Sequence, residues 1–140
     1  MEINKDCVRD ILLYVKEYCV FQQTTQGKHW HKVSFDELCK SEKCSKYGME
    51  SIFYVIDKLS EYNLINLSKI KFKSNIDSSF KNIHINSLTA RGHEFIDNLS
   101  NDDVWDQVKT AINNADINDC FLNMYFKYIY DEIEKRLNNK

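Results

Sequence analysis

The stretch Ser45-Lys-Tyr-Gly-Met-Glu-Ser-Ile-Phe-Tyr-Val-Ile-Asp-Lys-Leu-Ser-Glu-Tyr-Asn-Leu-Ile65 decides how the rest of the chain is read. Ile52, Val55, Ile56 and Leu59 recur at three- and four-residue spacing, so they line one apolar face of a helix. Ser45 is placed to cap that helix. Asn63 is placed to end it, because Asn tolerates the left-handed backbone of a C′ position and Leu64 can then fold back on the last turn. Beyond it Ile65, Leu67, Ile70 and Phe72 interleave with polar residues as in a strand, with a slip of parity between 67 and 70 that predicts a bulge. Ser74 to Asn82 forms a polar tip. Ile83, Ile85 and Leu88 return as a second strand with His84 on its polar side, and Thr89 opens a new helix with Phe95, Ile96 and Leu99 inward.

Upstream, Ile3, Cys7, Val8, Ile11, Leu12, Val15 and Cys19 form the stripe of an amphipathic helix over 3–20. Phe21 to Lys28 is polar and contains Gly27, which predicts a loop, and His29-Trp-His-Lys-Val33 alternates like a short strand. Ser34 and Glu37 make a capping box at the start of a short helix that the polar run Lys40-Ser-Glu-Lys-Cys-Ser45 ends. Two closely spaced helices, the second with a clear apolar stripe, fit a helix-turn-helix pair. The expected fold is therefore α+β, mainly α: a winged helix-turn-helix with a small β-wing and additional C-terminal helices.

Those helices follow from two further patterns. Ser100 with Asp103 repeats the capping signal, and Val104, Trp105, Val108, Ala111 and Ile112 continue a helix that Asn113-Asn114 is expected to break. From Asp116 onward Ile117, Phe121, Met124, Tyr128, Ile129, Ile133 and Leu137 mark a last helix. Its apolar residues surround more of the circumference than one-sided packing requires, so Phe121, Met124, Tyr125, Tyr128 and Ile129 are candidate contacts of a homodimer. Residues 1–100 are expected to form the winged domain, and 101–140 an extension that packs on it, dimerises, or both.

With 140 residues and 43% apolar side chains the chain can bury one core. It has no Pro, and its glycines stand only at 27, 48 and 92. Five cysteines at 7, 19, 39, 44 and 120, odd in number and without framework spacing, suggest reduced thiols. The charged N-terminus is unlike a signal peptide, and no apolar run approaches the roughly 20 residues that span a bilayer. A bacterial cytoplasmic location and no membrane partner are expected. The formal net charge of −2 hides an asymmetry. Residues 69–91 carry Lys69, Lys71, Lys73, Lys81 and Arg91 against Asp77 alone, residues 28–46 are also net positive, and residues 94–140 hold ten acids to five bases. One part of the surface can meet phosphates, and another would repel them.

The block Leu88-Thr89-Ala-Arg-Gly92-His93-Glu94-Phe95-Ile96-Asp97, followed by Asp102-Asp103-Val104-Trp105, resembles a family of phage and prophage proteins of unknown function that share a Leu-Thr-x-x-Gly-His-Glu-Phe-Leu-Asp stretch and an Asp-x-Val-Trp stretch. The likeness covers roughly residues 1–112. It implies a winged-helix-like domain on a mobile element in a bacterial cytoplasm, and it carries over no catalytic residue.

Duplex DNA is the leading expected partner. Lys69, Lys71, Lys73 and Lys81 on the wing would straddle a backbone, and Lys43, Ser45 and Lys46 at the helix entrance would meet a phosphate, with Tyr47, Ser51 and Tyr54 facing the groove. The rest of that helix face, Glu50, Asp57, Lys58 and Glu61, complements a groove poorly and offers no Arg or Gln to read base edges. The alternative is therefore a protein-interaction module that binds and modulates a host protein through Tyr47, Phe53, Tyr54 and Tyr62. His29, His31, Cys39 and Cys44 match no standard zinc spacing, so no metal or cofactor is expected. Cys120 lacks a neighbouring His, and His93 and Glu94 diverge by about 100° on a helix. His93 is read as a partly buried structural group, and no enzymatic activity is expected.

Overall fold

The first helix, α1 (Lys5–Tyr18), starts where Asn4 accepts a hydrogen bond from the Cys7 N–H at 3.0 Å, and it buries Cys7, Val8, Ile11, Leu12 and Val15 on the face their spacing predicts. A computed structural model describes residues 3–69, 82–115 and 122–138. After α1 come β1 (Phe21–Thr24), β2 (Gly27–Trp30), β3 (Val33–Ser34), α2 (Phe35–Lys40), a 3₁₀ turn (Ser45–Tyr47) and α3 (Met49–Glu61). Then follow β4 (Ile65–Lys69), β5 (Ile83–Leu88), α4 (Ala90–Leu99), α5 (Asp102–Ala115) and α6 (Leu122–Asn138). The chain is α+β and mainly helical, with two small antiparallel sheets: the β1–β2 hairpin, and three strands in the order β3-β5-β4.

The junction of α3 with β4 is built as its residues require. Asn63 takes φ 66°, the Leu64 N–H donates to the Leu59 carbonyl at 2.9 Å, and the Asn63 N–H donates to the Ser60 carbonyl at 3.0 Å. This is a Schellman ending with Asn in the left-handed position. The start of α4 locks onto it. Thr89 donates its hydroxyl to the Asn63 carbonyl at 2.7 Å, donates its N–H to the Leu64 carbonyl at 3.0 Å, and caps α4 by accepting from the Gly92 N–H at 2.9 Å. A Cβ on Gly92 would stand 2.0 Å from the Leu64 carbonyl oxygen, so only glycine lets α4 come this close.

One hydrophobic cluster holds the elements together. It runs from Ile3, through Ile52, Val55, Ile56 and Leu59 of α3 and Phe95, Ile96 and Leu99 of α4, to Trp105, Val108, Ile112, Ile129 and Ile133 of α5 and α6. Ile129, a candidate dimer contact, is buried against its own chain.

Several local expectations need correction. Phe21–Lys28 is not a loop: Phe21 pairs with Trp30, Gln22 with His29, Gln23 with Lys28 and Thr24 with Gly27. The hairpin's side chains stay largely outside the core, so no apolar alternation announces its strands. The expected strand over 29–33 is split, β2 ending at Trp30 and β3 beginning at Val33. Ser45 does not cap α3. Its N–H donates to the Ser41 carbonyl at 2.9 Å, it opens a 3₁₀ turn closed by the Tyr47 N–H on the Cys44 carbonyl, and Gly48, at φ 84°, redirects the chain so that α3 begins at Met49 with no side-chain cap. At α5 the cap is Asn101, which accepts from the Asp103 and Val104 N–H groups at 2.9 and 3.1 Å, whereas Ser100 donates to the Asp97 carbonyl. The Asn113-Asn114 pair does not break α5, which continues to Ala115. The bulge between β4 and β5 falls between Asn66 and Leu67, nearer the helix than the parity slip suggested.

Replacing Gly92 by Ala forces this junction apart and should cost about 2 kcal/mol or more, in the range of overpacked sites. Urea unfolding is expected to show a lower midpoint with an unchanged slope. An unchanged midpoint would contradict the close approach.

Candidate nucleic-acid interface

At the α3 entrance Tyr47 is turned onto the chain itself, and Lys46 stays largely exposed. Tyr47 donates its hydroxyl to Asp10 Oδ2 of α1 at 2.5 Å, and Lys46 lies 3.6 Å from the same oxygen and over the Tyr47 ring. Burial and then the bond to Asp10 push the Tyr47 hydroxyl pKa well above its ordinary value, so Tyr47 stays a neutral donor. Lys43 is half-buried in a cleft with Asp10, Tyr14, Glu17 and Glu42. Ser45 is exposed, and Ser51 faces the cleft between α1 and α5 beside Lys5, Asp6 and Lys109.

Farther along α3 the outward face is acidic. Lys58 lies 3.2 Å from Glu61 and 3.7 Å from Asp57, and it covers the Tyr54 ring at 5.5 Å. Phe53 packs edge-on against Phe35 of α2, and the Arg91 guanidinium of α4 stacks over Tyr62 at 3.9 Å. Of the four aromatics expected on an interaction face, three are thus engaged by neighbouring elements. Met49 is the large apolar side chain of α3 most open to solvent.

Lys69 ends β4, opposite Ile83. Lys71, Lys73 and Lys81 lie outside the described residues, as do Phe121 and Cys120. Met124 and Tyr125 fall within α6, and Tyr128 is half-buried with its hydroxyl 3.4 Å from the Ala111 carbonyl.

Two clusters escaped sequence reasoning. Glu37 provides only half of a capping box: its N–H donates to Ser34 Oγ at 3.0 Å, but its carboxylate meets His31 Nε2 at 2.9 and 3.1 Å and accepts from the Tyr14 hydroxyl at 2.8 Å. The second cluster surrounds Trp105. Its indole N–H donates to Asp6 Oδ1 at 3.0 Å, Lys109 lies 3.2 Å from the same oxygen, and Arg9 and Lys109 both sit over its ring. Arg9 also donates to the Leu99 and Ser100 carbonyls and to Asp102 Oδ1. These bonds join α1 to the α4–α5 turn, the Trp105 ring filling the corner.

Among the described residues no three His, Cys, Asp or Glu side chains converge as a metal site requires. Burial pushes the Cys39 and Cys44 thiols up to about 11 and the Cys7 thiol up to about 12, which keeps them protonated and unreactive at neutral pH. His93 is exposed on α4, not partly buried. Among the described residues no helix is long and apolar enough to cross a membrane.

A family model described as a hypothetical protein family, DUF2513, matches residues 2–118, so the chain belongs to that family. No curated protein and no solved structure matches it. The match spans both the Thr89–Gly92 lock and the Trp105 corner.

The Trp105 corner has a pH signature. Burial alone would raise the Asp6 pKa, but hydrogen bonds from Trp105 and Lys109 outweigh it and hold the carboxyl below its ordinary value. A depressed folded-state pKa contributes stability above the unfolded value of about 3.9 and loses it as pH falls through the folded value. Trp105→Phe removes the donor and part of a buried ring. It should cost more than the roughly 1 kcal/mol of the hydrogen bond at neutral pH and flatten the loss of stability on acidification below about pH 4. Urea midpoints across that pH range check both. An acid response identical to that of the parent chain would rule out the bond's role.

Proposed function

We propose that this member of the DUF2513 family is a winged-helix, non-enzymatic DNA-binding regulator of a phage or related mobile element, working in a bacterial cytoplasm. The observation that carries this reading is the order of elements. Helix α1, strand β3, helices α2 and α3, then the antiparallel pair β4–β5, with the sheet order β3-β5-β4, support a winged-helix reading. In that arrangement the segment between β4 and β5 is the wing. It is also where the sequence concentrates lysine: Lys69, Lys71, Lys73 and Lys81 against Asp77 alone.

The distribution of charge along the sequence supports the wing over α3 as the main DNA contact. Several cations on the helical body lie beside acids: Lys40 by Asp36, Lys46 by Asp10, Lys58 by Glu61, Lys16 by Asp97, Arg9 by Asp102 and Lys109 by Asp6. A phosphate approaching α3 would meet Glu50, Asp57 and Glu61. Backbone binding led by the wing avoids them, and it gives affinity without much base readout. Two copies, joined through Phe121, Met124 and Tyr125, would address two half-sites.

A second reading is favoured by the same acidic α3 face. With Met49 exposed at its start and Tyr54 beside Lys58, it suits a basic patch on a host protein better than a groove. On that reading Tyr47→Ala with Tyr54→Ala abolishes recovery of the host protein in a pull-down.

Fluorescence anisotropy with labelled duplex DNA at several salt concentrations separates the two. The DNA reading predicts binding that weakens with salt in proportion to the phosphates contacted. Replacing Lys69, Lys71 and Lys73 together by Glu should abolish it while leaving helicity by circular dichroism unchanged. Absence of binding at low salt would eliminate the DNA reading, and a monomeric mass by light scattering at micromolar concentration would eliminate the dimer.

A further inference from the structure

Two of the five large apolar side chains exposed among the described residues stand side by side, Phe21 and Trp30 on the β1–β2 hairpin. Phe21 is 68% and Trp30 42% exposed, although aromatic side chains of this size are normally covered. Cross-strand register explains the cluster. Phe21 stands opposite Trp30 and Gln23 opposite Lys28, and alternate residues of a strand share a face, so Phe21, Gln23, Lys28 and Trp30 project from one side of the hairpin.

This face is held in place. The Phe21 and Trp30 rings meet edge to face with centroids 5.2 Å apart, and the Trp30 indole N–H donates to the Asn86 carbonyl of β5 at 2.7 Å. The hairpin therefore leans on the strand that forms one side of the proposed wing. The His31 N–H, donated to the Val20 carbonyl at 2.9 Å, extends the pairing past the register of the strands.

Its chemistry is selective. Between residues 18 and 35 there is no Asp or Glu, whereas Lys28 and Lys32 supply positive charge and Gln22, Gln23, Gln26, Thr24 and Thr25 supply uncharged hydrogen-bonding groups. A second copy of the hairpin would bring lysines against lysines with no carboxylate to pair them, so self-association through this face is opposed by charge. Exposed aromatic rings beside lysines and amides match a strand of nucleic acid, whose bases stack on aromatics while its phosphates meet cations. Duplex bases have both faces covered by their neighbours, so the bases must be unpaired. We infer that the β1–β2 hairpin is a stacking platform for single-stranded nucleic acid, with Phe21 and Trp30 taking the bases and Lys28 the backbone. The inference shares with the proposed function only the class of ligand and does not require the wing.

Trp30 reports on its own site, because the second tryptophan, Trp105, is only 3% exposed. The full chain is titrated at low salt with an oligothymidylate of about 15 nucleotides, within the span of known single-strand sites. Saturable quenching of tryptophan fluorescence is expected, with affinity falling as salt is added. Phe21→Ala should weaken binding about tenfold, the loss of one stacked base, and Lys28→Glu should weaken it and flatten the salt dependence. Both residues lie on the hairpin surface, so unchanged circular dichroism is expected to verify that the variants fold. The inference is overturned by absence of quenching at low salt, by variants that bind like the parent chain, or by a Phe21-dependent dimer in light scattering that the oligonucleotide leaves intact. Duplex binding retained without oligothymidylate binding removes the platform alone. The reverse pattern removes the wing alone.

Discussion

The structure depends on one backbone oxygen. The Leu64 carbonyl, at the turn between α3 and β4, accepts the Thr89 N–H and occupies the space a side chain at position 92 would need. Because Asn63 adopts the left-handed conformation, the chain leaves α3 in a direction that starts β4. Because Thr89 and Gly92 close on the same turn, β5 ends and α4 begins beside it. The start of β4 and the end of β5 are thereby tied to a single point.

Electrostatics divides the surface into two kinds. On the helical body acids and bases pair across elements, as Asp6 does with Trp105 and Lys109, and Asp10 with Tyr47 and Lys46. Most of these pairs are partly exposed and contribute little each, of the order of 1 kcal/mol or less. Their larger consequence is that the cations near α1 and the α3 entrance are offset, while the outward face of α3 stays acidic. The β1–β2 hairpin and the segment joining β4 to β5 carry cations that the sequence does not balance with nearby acids. The hairpin is tied to β5 by the bond from Trp30 to Asn86.

Much of this was legible in the sequence where one local rule sufficed. The apolar spacing of α1 and α3, Asn63 as a left-handed ending, Thr89 as a cap and the pairing of 65–69 with 83–88 each follow from a few adjacent residues. Rules failed where a glycine or a distant partner intervened. Ser45 has the composition of a cap, but Gly48 restarts the helix three residues later. Glu37 has the spacing of a capping box, yet its carboxylate is drawn to His31 and Tyr14, the latter 23 positions away in sequence. Tyr47 and Lys46 read as groove contacts until Asp10 of α1 is placed beside them. The hairpin was invisible because strands that bury nothing show no alternation. Of the expected DNA contacts, Lys71, Lys73 and Lys81 rest on the sequence alone.

A titration of the ¹⁵N-labelled chain with duplex DNA, followed by amide chemical shifts, bears most directly on which surface meets nucleic acid. Changes should concentrate on β4, β5 and the residues between them, extend to β1 and β2 where Trp30 joins β5, and leave the exposed face of α3 at Glu50, Asp57 and Glu61 undisturbed. Changes centred on that α3 face, or none at low salt, would contradict a wing-led nucleic-acid-binding protein.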